Sequence, residues 1–328
     1  MEYNLPVNAM SINDEVEGFY ILKSANPKVT ANGKPFLTGA LSDRTGVIEM
    51  KVWDYAGPLT AADEGKVVKV RGTVGEFRGT PQFTASRIRL AAADDPVDPA
   101  SLVPTAPIDR EQAMAALEKW VTSIEDGDYR AVAQAMLKRH GQALESIPAA
   151  KSVHHAFLGG LLMHTGNMMR IADFLAGMYA DTVDRSLLLT GALLHDMAKE
   201  QEFAFSQLGL ATDYSVKGQL LGHLVMGAQE TARVAEELGV PEEKSVLLQH
   251  LILSHHGEPE FGAAVRPMFL EAEILSSLDT LDAKIYEIEQ ACRNVQPGEF
   301  TPRQWALDNR KLYNHDRNHA DFKAELIK

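Results

Sequence analysis

The chain of 328 residues has a single cysteine, Cys292. That excludes an intramolecular disulfide and fits a reducing cytoplasm. No apolar run approaches the ~20 residues that span a bilayer, so no membrane partner is expected. The N-terminus, MEYNLPVNAM, has an early acid and no apolar core, and no signal peptide is expected there. Internal repeats and low-complexity tracts are lacking. Basic residues are also scarce, 32 Lys/Arg against 45 Asp/Glu, for a net charge of -13. Such a surface argues against indiscriminate binding of polyanions. The deficit is uneven. Residues 1–92 hold 11 Lys/Arg and 10 Asp/Glu, so the acidity belongs to the remainder. A polyanion is expected to dock on the first part, and the acidic part needs cations to tolerate a phosphate.

The length suggests about two domains. Residues 16–92 read as strands: Gly18–Leu22, Phe36–Leu41, Val47–Trp53, Lys66–Val74 and Gln82–Leu90 alternate or are β-branched. Turn signals part them at Ala31–Lys34, Asp43–Gly46 and Arg78–Pro81. Five short strands in this length suit a small closed barrel such as an OB-fold, with an SH3-like barrel as the alternative. Residues 93–108, rich in Pro, Ala and Asp, read as a linker. From Arg110 onward apolar residues recur at three and four, as in Ala113, Leu117, Trp120 and Val121. The expected organisation is an all-β barrel (1–92), the linker, an all-α domain (109–292) and a C-terminal tail (293–328).

Histidine is what the chain has in an unusual place. Eight of its 11 histidines fall between 154 and 256, most in apolar helical stretches where an unpartnered imidazole is costly. The sharpest piece is Gly191-Ala-Leu-Leu-His-Asp-Met-Ala-Lys199, a buried His195-Asp196 pair one helical turn before a lysine. Imidazole and carboxylate both ligate divalent first-row metals. A carboxylate can bridge two ions, and Lys199 can meet a phosphate oxygen. His164, on the stripe of Phe157, Leu161 and Met168, is a further candidate ligand, though alone it would read as a core histidine. His223 follows the small Gly222 between leucines. His255 and His256 end an apolar helix at Gly257, where they are ligands or surface caps. His250 reads better as core. Asp279 or Asp282, acids among leucines one turn apart, closes the site, with Asp279 preferred.

The order His164, His195-Asp196, Asp279 resembles the H…HD…D ligand pattern of the HD phosphohydrolase superfamily. The additional His223 and the His255-His256 pair resemble its two-metal branch. Across nearly the whole chain, the barrel with HHAFLGGLLMHT, GALLHDMAKEQEF, KGQLLGH, LILSHHG and LDTLDAK looks like the YhaM/Cbf1 family of OB-fold plus HD-domain 3′→5′ exoribonucleases. Ser276 departs from it, standing where a histidine is common. The resemblance implies two divalent ions, Mn most often, with Co, Fe, Ni or Zn as alternatives. It implies His164, His195 and Asp279 on one, His223, His255 and His256 on the other, and Asp196 bridging. It implies single-stranded RNA as substrate, with single-stranded DNA as the alternative, and a homo-oligomer. His154 and His155, opening the helix of His164, either touch the substrate phosphate or cap the helix. In the barrel, Phe36, Trp53, Phe77 and Phe83, with Arg78 and other bases nearby, would form the strand track, although at least half of these aromatics are expected in the core. Phe300–Tyr313 either lines the mouth of the site or packs, as Trp305 is expected to. The rival readings are a nucleotide or cyclic-dinucleotide phosphohydrolase, and an RNA-binding protein with a structural metal.

Overall fold

The computed structural model describes residues 2–77, 79–150, 157–206 and 208–316. The candidate residues Arg78, His154 and His155 lie outside the described residues. The chain forms two compact units, Met1–Thr105 and a second from Ala106 onward that is interrupted at Ser206–Gly209. Each has its own hydrophobic core.

In the first unit a two-residue strand, β1 (Glu2–Tyr3), pairs with β2 (Glu15–Val29), which is followed by β3 (Pro35–Asp43), β4 (Gly46–Trp53), β5 (Val67–Phe77) and β6 (Thr80–Leu90). The sheet runs β2-β3-β4-β6-β5, and β2 also pairs with β5, so it closes on itself. The β4–β6 pairing is parallel and the rest of the ring antiparallel. That closed five-stranded order is the OB-fold barrel rather than an SH3-like one. Alternation decides which side chains enter it. Ile48, Met50 and Val52 of β4 and Val68, Val70 and Val74 of β5 are buried, while Trp53 and Arg71 face outward. Register slips at Leu22/Ser24 and Arg71/Gly72 are bulges, which bend strands enough to close a small barrel. Gly39 is required opposite the first: a Cβ there would lie 2.0 Å from the Ser24 carbonyl oxygen.

The stretch read as a linker is not featureless. Asp98 caps a short helix, α1 (Pro99–Leu102), and Leu102 and Val103 are buried. Linker composition hid an anchoring apolar pair.

The second unit holds α2 (Arg110–Thr122), α3 (Gly127–Ser146), α4 (Gly160–Met178), α5 (Arg185–Leu194), α6 (Lys199–Glu202), α7 (Val216–Glu237), α8 (Glu242–Ser254) and α9 (Leu270–Arg293). Asp109, Asp126, Asp184 and Ser215 cap four of them by accepting backbone N–H bonds. Every residue from Ser186 to Lys199 is buried, so α5 is the central helix and is apolar all round. The unit is helical, as expected, with one short hairpin of β7 (Phe203–Phe205) and β8 (Ala211–Tyr214) inserted between α6 and α7. Contacts of Phe203 with Phe205 and Tyr214 rings stabilise these strands, and three- and four-residue strands are too short to show a period in sequence. No described helix is long and apolar enough to cross a membrane.

Candidate metal centre and nucleic-acid face

Five elements of the second unit converge on one point. His164 comes from the apolar face of α4. His195 is the C-cap of α5 rather than part of an unbroken helix, and Asp196 follows in a turn whose N–H groups bond three residues back, Met197 to Leu194 and Lys199 to Asp196. From this turn both consecutive side chains reach the centre, with Asp196 Oδ2 3.4 Å from His195 Nε2. His223 follows Gly222, whose φ of 70° and ψ of 160° break α7 and turn the His223 N–H toward Glu202. His255 and His256 end α8 before Gly257 at φ +75°. Asp279 and Asp282 lie three apart on α9, hence on one face.

Their atoms are close. His164 Nε2 is 3.1 Å from His195 Nε2, 3.2 Å from Asp279 Oδ1 and 3.7 Å from Asp196 Oδ2. Asp196 Oδ2 also lies 3.4 Å from His195 Nε2, while its Oδ1 is 3.3 Å from His223 Nε2 and 3.6 Å from His255 Nε2. Asp196 thus turns one oxygen to each of two histidine groups. His164, His195 and Asp196 form one trio of candidate metal-ligand atoms within 4.8 Å of one another, and His223, His255 and His256 form another.

The opposite edge of each ring explains the convergence. His195 Nδ1 donates to Ala192 O at 2.9 Å, His255 Nδ1 to Ile252 O at 2.8 Å and His256 Nδ1 to Phe261 O at 2.9 Å. His164 Nδ1 donates to Asp282 Oδ2 at 2.7 Å, and His223 Nδ1 to Glu202 at 3.0 Å. For His195, His255 and His256 the acceptor is a carbonyl, which only accepts, so the proton sits on Nδ1 and Nε2 can serve as a metal ligand, as metal-ligating histidines require. Asp282 is therefore a partner of His164 on its outer side, and Asn167 Nδ2 holds its other oxygen at 2.9 Å. Asp279 faces Nε2.

The group fits divalent cations and fits poorly without them. Asp196 Oδ1, His223 Nε2 and His255 Nε2 are buried with no hydrogen-bond partner. Two imidazole nitrogens 3.1 Å apart need a positive species between them. Among the described residues, Asp196, Asp279, Asp282 and Glu202 outnumber the cations at the centre, Lys199, whose Nζ lies 2.6 Å from Asp196 Oδ2, and the proton that His164 takes up. Burying that surplus of negative charge is costly unless it is neutralised. Burial alone would push Asp196 up and Lys199 down, but each outweighs it for the other: Asp196 is held well below the carboxylate range, and Lys199 is raised. Burial lowers His223, and it takes His256 to about 3, so both are neutral donors. Burial also pulls His164 down, yet Asp279 and Asp282 outweigh it and lift it to about 10, so a proton and a cation compete for its Nε2. The centre opens on a cleft of about 780 Å³ lined by Lys199, His223, His256 and Asp279, with Lys284 and Asp308 on its wall.

Not every expected residue joins. His250 stays outside: its Nε2 accepts from the Met268 N–H at 3.0 Å and its ring packs on Phe269. Of the C-terminal stretch, Ala306 and Asp308 line the cleft, but Trp305 does not pack, being 78% exposed. Sequence reasoning missed Glu202, Asn167 and His140. No sequence signal marks the first two. His140 interrupts the apolar stripe of Met136, Leu137 and Leu144 on α3, a legible anomaly, and its Nδ1 lies 2.7 Å from Glu200 on α6, next to Lys199. Because outer partners orient the ligands, replacing Glu202 or Asp282 with alanine is expected to weaken metal binding about 10- to 100-fold. Titration of metal-stripped protein reads this directly, and unchanged affinity in both variants would remove their orienting role.

On the barrel, Phe36 and Trp53 are cross-strand neighbours with centroids 5.4 Å apart. Lys51 Nζ lies 5.1 Å from the Trp53 ring and 4.6 Å from the Phe77 ring. Trp53 is 52% exposed and Phe77 47%, whereas Phe83 is fully buried. Fewer of the four aromatics point inward than the need to fill a small barrel suggested, because aliphatic residues supply most of the core.

A closed five-stranded barrel followed by this His/Asp centre defines the class of OB-fold plus HD-domain chains. A family described as HD domain matches residues 161–284, and one described as OB-fold nucleic acid binding domain matches residues 22–91. The 3′-5′ exoribonuclease YhaM of Bacillus licheniformis is 38% identical over 92% of this chain and 95% of its own length. The proteins of that name from Geobacillus sp. and Bacillus subtilis are 37% and 36% identical over 92% of this chain, covering 92% and 95% of their own lengths. The chain belongs to the YhaM family.

Proposed function

We propose that this chain is a metal-dependent 3′→5′ exoribonuclease that shortens single-stranded RNA to nucleoside monophosphates. The observation carrying this reading is the set of five imidazoles bonded outward through Nδ1, four of which, His164, His195, His223 and His255, bring Nε2 within 3.7 Å of Asp196. His164, His195 and Asp279 would hold one divalent ion, His223, His255 and His256 a second, and Asp196 would serve both. The mixed imidazole/carboxylate set accepts Mn, Co, Fe, Ni or Zn, and Mn is the ion we favour. Bound there, such ions supply activation of water near neutral pH and charge stabilisation at phosphorus.

The protein's own residues do the rest. Lys199 keeps Asp196 ionised and borders the cleft, where its ammonium can face a phosphoryl oxygen. The Nδ1 partners hold each ring in place, so little reorganisation is needed when charge develops. The open cleft suits a chain end. The barrel, with exposed Trp53 and Phe77 beside Lys51, suits single-stranded bases better than a mononucleotide substrate would require.

The test is a 5′-labelled single-stranded RNA incubated with the protein and Mn²⁺, with and without EDTA. A ladder shortening from the 3′ end, abolished by EDTA, is expected. Intact RNA with Mn²⁺ would overturn the exoribonuclease reading and turn attention to small phosphoesters.

A further inference from the structure

We infer that the outer face of β5 and β6, centred on Arg71 and Arg87, is a second contact for the phosphodiester backbone of single-stranded RNA, apart from the Phe36–Trp53 pair. The inference rests on the nucleic-acid reading proposed above. Arg71 stands in register with Arg87, and Lys69 with Arg89, so four cations face one another in two cross-strand rows. Like charges directly opposite are destabilising, so packing alone does not account for the arrangement.

The acids nearby are already engaged. Glu17 is in register with Arg71, yet its carboxylate lies 3.2 Å from Lys69. Asp95 holds Arg89 with two bonds of 2.6 and 2.8 Å. Asp54 lies 3.7 Å from Lys34. That leaves Arg71 and Arg87, both exposed and neither with an ion-pair partner among the described residues. They border a cleft of about 600 Å³ whose other wall is Trp53 and Tyr55.

This geometry has the chemistry of a backbone site. Guanidinium groups grip phosphate through paired N–H donors. Trp53 is shared between the cleft and the Phe36 contact, so a strand stacked on the aromatic pair would meet the two arginines next. In a chain of net charge -13, a pair of uncompensated arginines on a neutral domain is a local attractor for an anion. An acidic peptide shares the charge but has no use for the aromatic wall.

The test measures binding rather than turnover, on the full chain with Mn²⁺ and a fluorescent single-stranded RNA whose 3′-terminal linkages are phosphorothioates to resist cleavage. Anisotropy titrations over a salt series compare the native chain with the double variants Arg71→Ala/Arg87→Ala and Arg71→Lys/Arg87→Lys. Two lost contacts to a single strand should lower the slope of log K against log salt by about 1.4, and affinity by about 25-fold at 0.1 M salt, converging near 1 M. The lysine pair should restore the slope. The alanine variant should melt no lower than the native chain, which separates lost contacts from misfolding. Native-like slope and affinity in the alanine variant would overturn the site, as would a loss of binding to a poly-glutamate peptide with RNA binding intact. Failure of the native chain to bind the RNA would instead sink the nucleic-acid reading, and this site with it.

Discussion

Replacing Asp196 with alanine is expected to lower RNA turnover by about 10³-fold or more and to strip the protein of bound metal. Asp196 divides its oxygens between two groups of imidazoles: Oδ2 toward His164 and His195, Oδ1 toward His223 and His255, all within 3.7 Å. Metal ions contribute several kcal/mol at a reacting phosphoryl group, and each ~1.4 kcal/mol is tenfold in rate. The variant also leaves Lys199, now 2.6 Å from Asp196 Oδ2, buried beside fewer acids. Breaking a buried pair costs about 3–5 kcal/mol. Asp196→Asn, which keeps the volume and a hydrogen-bonding oxygen for Lys199, separates lost metal from lost folding. Metal content by mass spectrometry and turnover should fall together in both variants. Turnover within tenfold of native with metal retained would show that Asp196 is not the shared ligand.

The second large effect is on the barrel alone. Gly39→Ala places a methyl carbon 2.0 Å from the Ser24 carbonyl oxygen, a backbone atom at a bulge that cannot yield without opening the β2–β3 pairing. Overpacking costs about 1–3 kcal/mol, and a backbone collision belongs at the upper end. For a domain of this size, 3 kcal/mol shifts the melting midpoint by about 12–24 °C. Calorimetry should therefore show an early transition for the barrel and an unshifted one for the helical unit, since their cores are separate. Between the two transitions, cleavage of RNA should fail while hydrolysis of a small phosphodiester such as bis(p-nitrophenyl) phosphate persists. A native-like melt would reject the packing argument. Parallel loss of both activities would reject the division of labour between barrel and metal centre.

Residue type and burial conflict made much of the centre legible before any coordinates. His164, His195, Asp196, His223 and Asp279 are polar groups inside apolar helical stretches, and such groups need partners. The barrel was legible for a similar reason: a period of two with turn residues between runs leaves little else to build. The hairpin at Phe203–Tyr214, the anchored α1 and the break at Gly222 were not, because each depends on a few residues whose local preferences are weak.

What the sequence by itself determined is therefore the inventory: which side chains cannot rest in an apolar core unaided, and in what order they occur along the chain. Only the tertiary structure decided that Asp279 meets Nε2 of His164 while Asp282 meets Nδ1, that Glu202 orients His223, and that Arg71 lies opposite Arg87. The physical reason is range. Periodicity and propensity act over one or two turns, whereas each of these choices is set by a hydrogen bond or strand register joining residues 16 to 118 positions apart.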